Sequence, residues 1–196
     1  GIKFEKFFRT VYFIPPILSG VVVGLVWKWI YDGNYGILNN ILNLIGLGKY
    51  TTSWLSNPRT ALLSVAVVHM WKGFGWGFVI LLAGLQTIPR ELYEAASIDG
   101  ADTLKQFWHV TVPLMIPIFF VVSILTILGT MQIFDLIYSM TRGGPAGATE
   151  VPISYIYRYM ANNELGYATA VAVLFGLVLF SLSIIQIFVS RKLKKV

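Results

Sequence analysis

Three polar side chains set in otherwise apolar stretches are placed to do chemistry: Lys72, Gln132 and Asp135. Lys72 lies in the run Trp71-Lys72-Gly73-Phe74-Gly75-Trp76-Gly77, one turn after His69. An ammonium at the centre of a membrane helix costs at least about 2.5–3.5 kcal/mol on insertion scales, so it should face a partner or a wet cavity. The flanking Phe74 and Trp76 offer ring faces on which the apolar face of a sugar can stack while polar neighbours bond its hydroxyls. Gln132 and Asp135, spaced i, i+3, present one amide and one carboxylate to hydroxyl groups. Gly73, Gly75 and Gly77 weaken a helix, and irregular backbone at membrane depth is tolerated mainly where it lines a cavity. Two structural alternatives stay open: Lys72 pairs with Asp135 or snorkels, and Asp135 caps the outer end of its span.

Other chemistries find little material. The 196 residues contain no Cys, and the two His, His69 and His109, are far apart, so no metal-ligand spacing exists. No G-x-x-x-x-G-K-[ST] phosphate loop occurs, so ATP hydrolysis cannot be placed in this chain. A membrane-embedded enzyme needs clustered His, Asp or Glu within the spans, and His69 with Asp135 is thin.

The elements that must position these groups are membrane helices. The chain is 56% hydrophobic and only 12% charged, with a mean hydropathy of +0.71. A soluble domain carries about a quarter charged residues. Four segments reach the roughly 20 apolar residues a bilayer requires: 8–30, 61–85, 114–138 and 166–189. The net charge of +6 is gathered at the two ends, in Lys3, Lys6 and Arg9 and in Arg191, Lys192, Lys194 and Lys195. Basic residues flanking apolar spans mark the cytoplasmic side, which an even number of spans allows for both ends. That placement argues for topology and against nucleic-acid binding. The expected fold is an all-α polytopic membrane bundle of about four spans.

Shorter elements fill the connections. Ile37, Leu38, Ile41, Leu42 and Ile45 recur at helical spacing and predict an amphipathic helix on the outer surface. Pro152 can start another, with Ile153, Ile156, Tyr157 and Met160 on one stripe and Asn162-Asn163 ending it. Gly20 with Gly24, and Ala168 with Ala172 and Gly176, are small-residue seams that let helices approach closely. Pro15-Pro16 should bend the start of the first span.

One polar island faces the cytoplasm in this topology, at 86–113. Glu91 suits the first turn of a short helix by its charge, and Leu92, Ala95, Ala96 and Ile98 give that helix an apolar side. Gly100 is placed to leave it in a left-handed conformation. Asp102 can cap a second helix carrying Leu104, Phe107 and Trp108, which Pro113 is expected to break as the third span opens. Such a stub, joined at both ends to bilayer helices, transmits the movement of any partner that grips it. An interfacial hairpin without a partner is the bland alternative.

The spacing Glu94-Ala95-Ala96, three residues, Gly100, nine residues, Val110-Thr111-Val112-Pro113 resembles the EAA loop of binding-protein-dependent ABC importer permeases. Val110 and Val112 stand where that family usually has Ile and Leu. Ile98-Asp99-Gly100-Ala101 is similar to the carbohydrate-uptake branch. So are residues 7–13 (FFRTVYF), Leu82-Ala83-Gly84-Leu85-Gln86, Gln132-Ile133-Phe134-Asp135 and Gly143-Gly144-Pro145. The resemblance covers nearly the whole chain and implies a permease domain over 1–196, in the cytoplasmic membrane of a bacterium or archaeon. It implies that Glu94, Ala95, Ala96, Asp99, Gly100 and Pro113 couple to a pair of ATP-binding subunits. It further implies a second permease, an extracellular solute-binding protein and a sugar substrate. No cofactor is expected in this chain, ATP and Mg being held by the partners. Glycerol phosphate is the alternative solute, and a passive channel the alternative class. Permeases of this kind carry spans ahead of the Phe7-Phe8-Arg9-Thr10 stretch, so a fragment short of about two N-terminal helices is expected.

Overall fold

The computed structural model describes residues 5–193, and every regular element among them is helical. In chain order these are α1 (Glu5–Ile17), α2 (Gly20–Ile30), α3 (Ile37–Leu44), α4 (Pro58–Gln86) and α5 (Arg90–Ile98). Then come α6 (Thr103–Gln106), a π turn over Phe107–Thr111, α7 (Val112–Met131), α8 (Asp135–Met140), α9 (Pro152–Ala161) and α10 (Leu165–Leu193). The side chains of Lys3, Lys6, Arg9, Arg191, Lys192, Lys194 and Lys195, which set the expected orientation, lie outside the described residues.

Three stretches are long and apolar enough to cross a bilayer: Pro58–Gln86, Thr103–Met131 and Leu165–Ser190. The first expected span, 8–30, is not continuous. It turns through 103° between Thr10–Ile17 and Gly20–Ile30. Pro15 and Pro16 sit in the last turn of α1, where neither nitrogen can donate to the preceding turn, so the helix ends and restarts after Ser19. The two pieces nevertheless run the length of α4. Tyr12 packs against Phe74 and Phe78, each with a ring-centroid distance of 5.4 Å. Trp27 meets Trp71 at 5.7 Å, and the Tyr31 hydroxyl donates to the Ser64 carbonyl at 3.3 Å. Counted as one bent span, the pair brings the possible crossings to four.

The third expected span is shifted rather than missing. Pro113 does not break the helix, because α6 continues through the π turn into α7 and the Val112 N–H bonds to the Phe107 carbonyl. The wider turn accommodates the missing donor at Pro113, which falls in the first turn of α7. At its other end the helix stops at Met131 instead of reaching residue 138. Residues 132–134 form a break, and α8 follows.

The core lies at the end of the bundle where α2, α8 and the first half of α4 meet. Ala61, Ser64, Val65 and Val68 recur at i, i+3, i+4, i+7 and turn one buried stripe of α4 inward. Val65 and Val68 pack with Val23, Tyr31, Leu136, Ile137 and Met140. Gly20 and Gly24 give α8 its seat: a Cβ on Gly20 meets the Asp135 carboxylate, and one on Gly24 meets the Ser139 hydroxyl. The other small-residue seam is only half used, since Ala168 is buried while Gly176 has nothing near it.

The connection after α2 is a folded cap. Asn39 of α3 is buried, its amide donating to the Gly33 and Thr52 carbonyls at 3.0 Å each and accepting from Trp54 Nε1 at 2.8 Å. Ile37, Ile41, Leu44 and Ile45 point outward, so this helix hides an asparagine and shows its apolar side. A second cap follows α8. There the buried Thr149 hydroxyl donates to the Gly144 carbonyl at 2.7 Å, and Arg158 pairs with Glu150 at 3.0 Å. Pro152 starts α9 as expected and Asn162-Asn163 ends it.

Candidate functional site

Two regions hold the residues singled out in the sequence. The first is a cavity of about 210 Å³ among α1, α4 and the α7–α8 break. Lys72, Trp76, Gln132 and Asp135 all line it, joined by His69 and Gly73. Lys72, His69, Gly73 and Trp76 share one face of α4, as the 3.6-residue period requires. Phe74 falls on the opposite face and does not line the cavity; it packs between Tyr12 and Phe78, with ring-centroid distances of 5.4 Å and 6.3 Å. The glycine run does not loosen the helix either, because α4 is continuous through it. Gly75 is instead where α1 crosses closest, a Cβ there meeting the Tyr12 carbonyl. The irregular backbone that borders the cavity lies elsewhere, beside the α1–α2 bend at Pro16 and in the 132–134 break.

Gln132 and Asp135 therefore do not share a helix turn. Gln132 ends α7 and Asp135 begins α8. Asp135 Oδ1 accepts from the Leu136 N–H at 2.9 Å, and the carboxylate rests on Gly20. Lys72 and Asp135 share the cavity without forming an ion pair; the pairs among the described residues are Arg90–Glu94 and Arg158–Glu150. His69 Nε2 bonds to Thr130 Oγ1 at 3.0 Å and ties α4 to α7. That bond was not anticipated, and nothing in one sequence pairs residues 61 positions apart.

The second region is the island at the opposite end of α4. Helix α5 has Glu91 in its first turn and is closed by Asp99, and Gly100 follows at φ +80°. The Ala101 N–H then reaches back to the Ala96 carbonyl at 2.9 Å. Asp102 caps α6 by accepting from the Lys105 N–H at 2.8 Å. Two further bonds fix the island to itself and to the span. Gln106 Nε2 donates to Ser97 Oγ at 2.8 Å, and the Tyr93 hydroxyl pairs with Thr111 Oγ1 in the π turn at 2.9 Å. No residue of α5 is buried. Among the described residues little covers its expected apolar side: Leu92, Ala95 and Ile98 are exposed and Ala96 is half-buried, with Ile98 87% exposed. Among the described residues Glu94 reaches only Arg90, at 3.7 Å.

Comparison with known proteins gives this geometry a context. Residues 1–195 match the family described as binding-protein-dependent transport system inner membrane component. The chain is 38% identical over 185 residues to the probable ABC transporter permease protein YurN of Bacillus subtilis, covering 94% of this chain and 63% of that protein. It is 35% identical over 192 residues to the multiple sugar-binding transport system permease protein MsmF of Streptococcus mutans, covering 97% and 65%. The fold matches a chain of a bacterial alginate ABC transporter, solved in complex with an alginate pentasaccharide-bound periplasmic protein. There the TM-score is 0.85 at 25% identity, over 98% of this chain and 67% of that one. The chain thus spans 63–65% of the length of these two curated relatives. With 1–195 matched and the spans in place, this multi-pass membrane chain belongs to the inner-membrane component family of binding-protein-dependent transport systems.

Proposed function

We propose that this chain is the membrane-spanning permease part of an ATP-driven importer that takes up a sugar or oligosaccharide. The observation that carries the reading is the island: a short helix with an uncovered apolar side and nothing buried, hydrogen-bonded to the start of one span and joined directly to the end of another. A groove in an ATP-hydrolysing partner that receives α5 moves α4 and α7 together. Both of these helices line the cavity at their other parts. Glu94, Ala95, Ala96, Asp99, Gly100 and Pro113 are the coupling residues in this reading, within the segment 86–113. Lys72, Trp76, Gln132 and Asp135 line the path of the solute, while Phe74 supports α1.

The remaining assignments follow the family. ATP and Mg are held by a pair of separate ATPase subunits, a second permease completes the pore, and an extracellular binding protein delivers the sugar. The names of the relatives and the alginate complex support a carbohydrate, and Trp76 beside Gln132 supplies ring and amide contacts suited to one. The basic ends and the island face the cytoplasm, placing the caps of α3 and α9 outside. Glycerol phosphate is the alternative solute, drawing on Lys72.

The test is a pull-down of the full-length protein from native membranes, with co-purifying chains identified by mass spectrometry. Recovery of an ATPase, a second permease and a solute-binding protein is expected. An intact, inserted protein that brings down no ATPase even after cross-linking would overturn the reading.

A further inference from the structure

We propose that the solute admitted to this cavity is an anionic saccharide, one bearing a carboxylate, sulfonate or phosphate, and that Lys72 recognises its charge. The inference rests on the importer reading and adds the charge class of the substrate.

Two charged side chains line the cavity, and their situations differ. Asp135 is engaged within the fold: Oδ1 accepts the Leu136 N–H at 2.9 Å and the carboxylate is seated on Gly20 of α2. That carboxylate acts as a packing piece between α2 and α8. Lys72 is half-buried and makes no hydrogen bond or ion pair with any described residue. The nearest polar neighbour on its own helix face, His69, is committed to Thr130 Oγ1 at 3.0 Å. With Lys72 the cavity is lined by the Pro16 ring, Gly73, the Trp76 indole, the Gln132 amide and the Asp135 carboxylate, which forms no ion pair with the ammonium.

An ammonium at membrane depth that is bonded to no described acceptor favours a ligand that brings one. Hydrogen bonds between an ammonium and an oxyanion are shorter and about twice as strong as neutral ones. A neutral pyranose gains only an ordinary hydroxyl contact there. Lysine is a point charge without the planar fork of arginine, so carboxylate, sulfonate and phosphate oxygens all satisfy it. Trp76 and Gln132 then hold the sugar ring while Lys72 reads the charge.

The experiment uses the assembled importer, with the full-length chain and its partner subunits, in lipid nanodiscs without the binding protein. Tryptophan fluorescence is titrated with digalacturonate, glucose 6-sulfonate, glucose 6-phosphate and the neutral galactobiose and glucose. At least one anionic probe should bind about tenfold tighter than its neutral counterpart, and which one does so identifies the anion. Lys72→Gln should erase that preference, and Lys72→Arg should keep it. For the wild type alone, the preference should weaken as salt rises, which holds the test open if Lys72→Gln fails to fold. A wild type that prefers the neutral probes, or a preference that survives in Lys72→Gln, overturns the proposal. ATP-driven uptake into liposomes is measured in parallel with the binding protein present. If charge-selective binding stands while no ATP-driven uptake of any saccharide occurs, the importer reading fails and the charge reading does not.

Discussion

The two ends of α4 carry similar material and use it in opposite ways. At the α3 and α9 end, short helices close over Val23, Tyr31, Val65, Val68, Leu136, Ile137 and Met140, and the core is there. At the island end, α5 carries four apolar residues and buries none of them. A nine-residue helix is marginal alone in water. This one is held by polar bonds: Tyr93 to Thr111, Gln106 to Ser97, and the Asp102 cap on α6. One end is completed by contacts inside the chain, whereas the other is held by polar bonds but left uncovered. Substitutions at the first end should therefore register in stability, and those at the second in assembly and transport with the fold intact.

The largest effect should come from Gly20→Leu. The added side chain needs the space of the Asp135 carboxylate, with the core behind it, so neither side has room to give. Loss of about 3 kcal/mol or more is expected, read as a fall of roughly 6–12 °C in the melting temperature of the purified protein, or as failure to recover it. A melting temperature equal to wild type would break the picture of α8 locked on α2. Asn39→Ala should follow, at about 1–3 kcal/mol, because it strands Trp54 Nε1 and the Gly33 and Thr52 carbonyls. Trp54 emission should shift to the red as its bonded, half-buried setting opens. An Asn39→Ala protein with wild-type stability and emission would mean that water replaces the amide and that the cap is looser than its bonds suggest.

How far the residues announced all this differs between the same two ends. The island was legible almost residue by residue, since its signals are local: the helix-dipole carboxylate at Glu91, the left-handed Gly100, the cap at Asp102. Membrane helices α4 and α10 were equally plain, because a run of apolar residues needs no partner to declare itself. The breaks were not legible. Pro15-Pro16 signalled a bend, yet a 103° turn depends on α8 offering the restarted helix a seat. The stop at Met131 carries no proline or glycine in 132–134, and arises where Asp135 and Ser139 must meet Gly20 and Gly24. The burial of Asn39 was not legible for a related reason: polar spacing places a residue on one face of a helix but cannot say which face is inside. Lys72, Trp76, Gln132 and Asp135 were found by type, and only the α7–α8 break brings them to one cavity.

Gly100→Val sharpens the comparison from the island side. A β-branched residue at φ +80° costs roughly 1–2 kcal/mol locally. A Cβ there meets nothing, so the strain stays in the turn and does not reach the core. The melting temperature should fall by no more than about 4–8 °C, while co-purification of the ATPase drops far more than that loss explains. A large loss of stability with unimpaired assembly would reverse the assignment and make Gly100 a folding residue.

The smallest effect on stability should come from Glu94→Gln. Arg90 and Glu94 are 91% and 68% exposed and 3.7 Å apart, and the basic residue precedes the acidic one, the weaker order for an i, i+4 pair. Such a contact is worth at most about 0.5 kcal/mol and is screened by salt. The melting temperature should therefore stay within about 2 °C of wild type. What Glu94 holds in reserve is a carboxylate on an uncovered helix, available to a basic group in whatever covers it. Removing the charge while keeping the shape should reduce ATP-driven uptake by about tenfold or more, as expected for loss of a charged hydrogen bond that is buried only in the assembly. Arg90→Ala, which frees Glu94 from its one partner among the described residues, should leave uptake at or above the wild-type level. Equal losses in both variants would mean that the surface pair itself matters. The island would then be stabilised from within, like the other end of α4, and the contrast between the two ends would collapse.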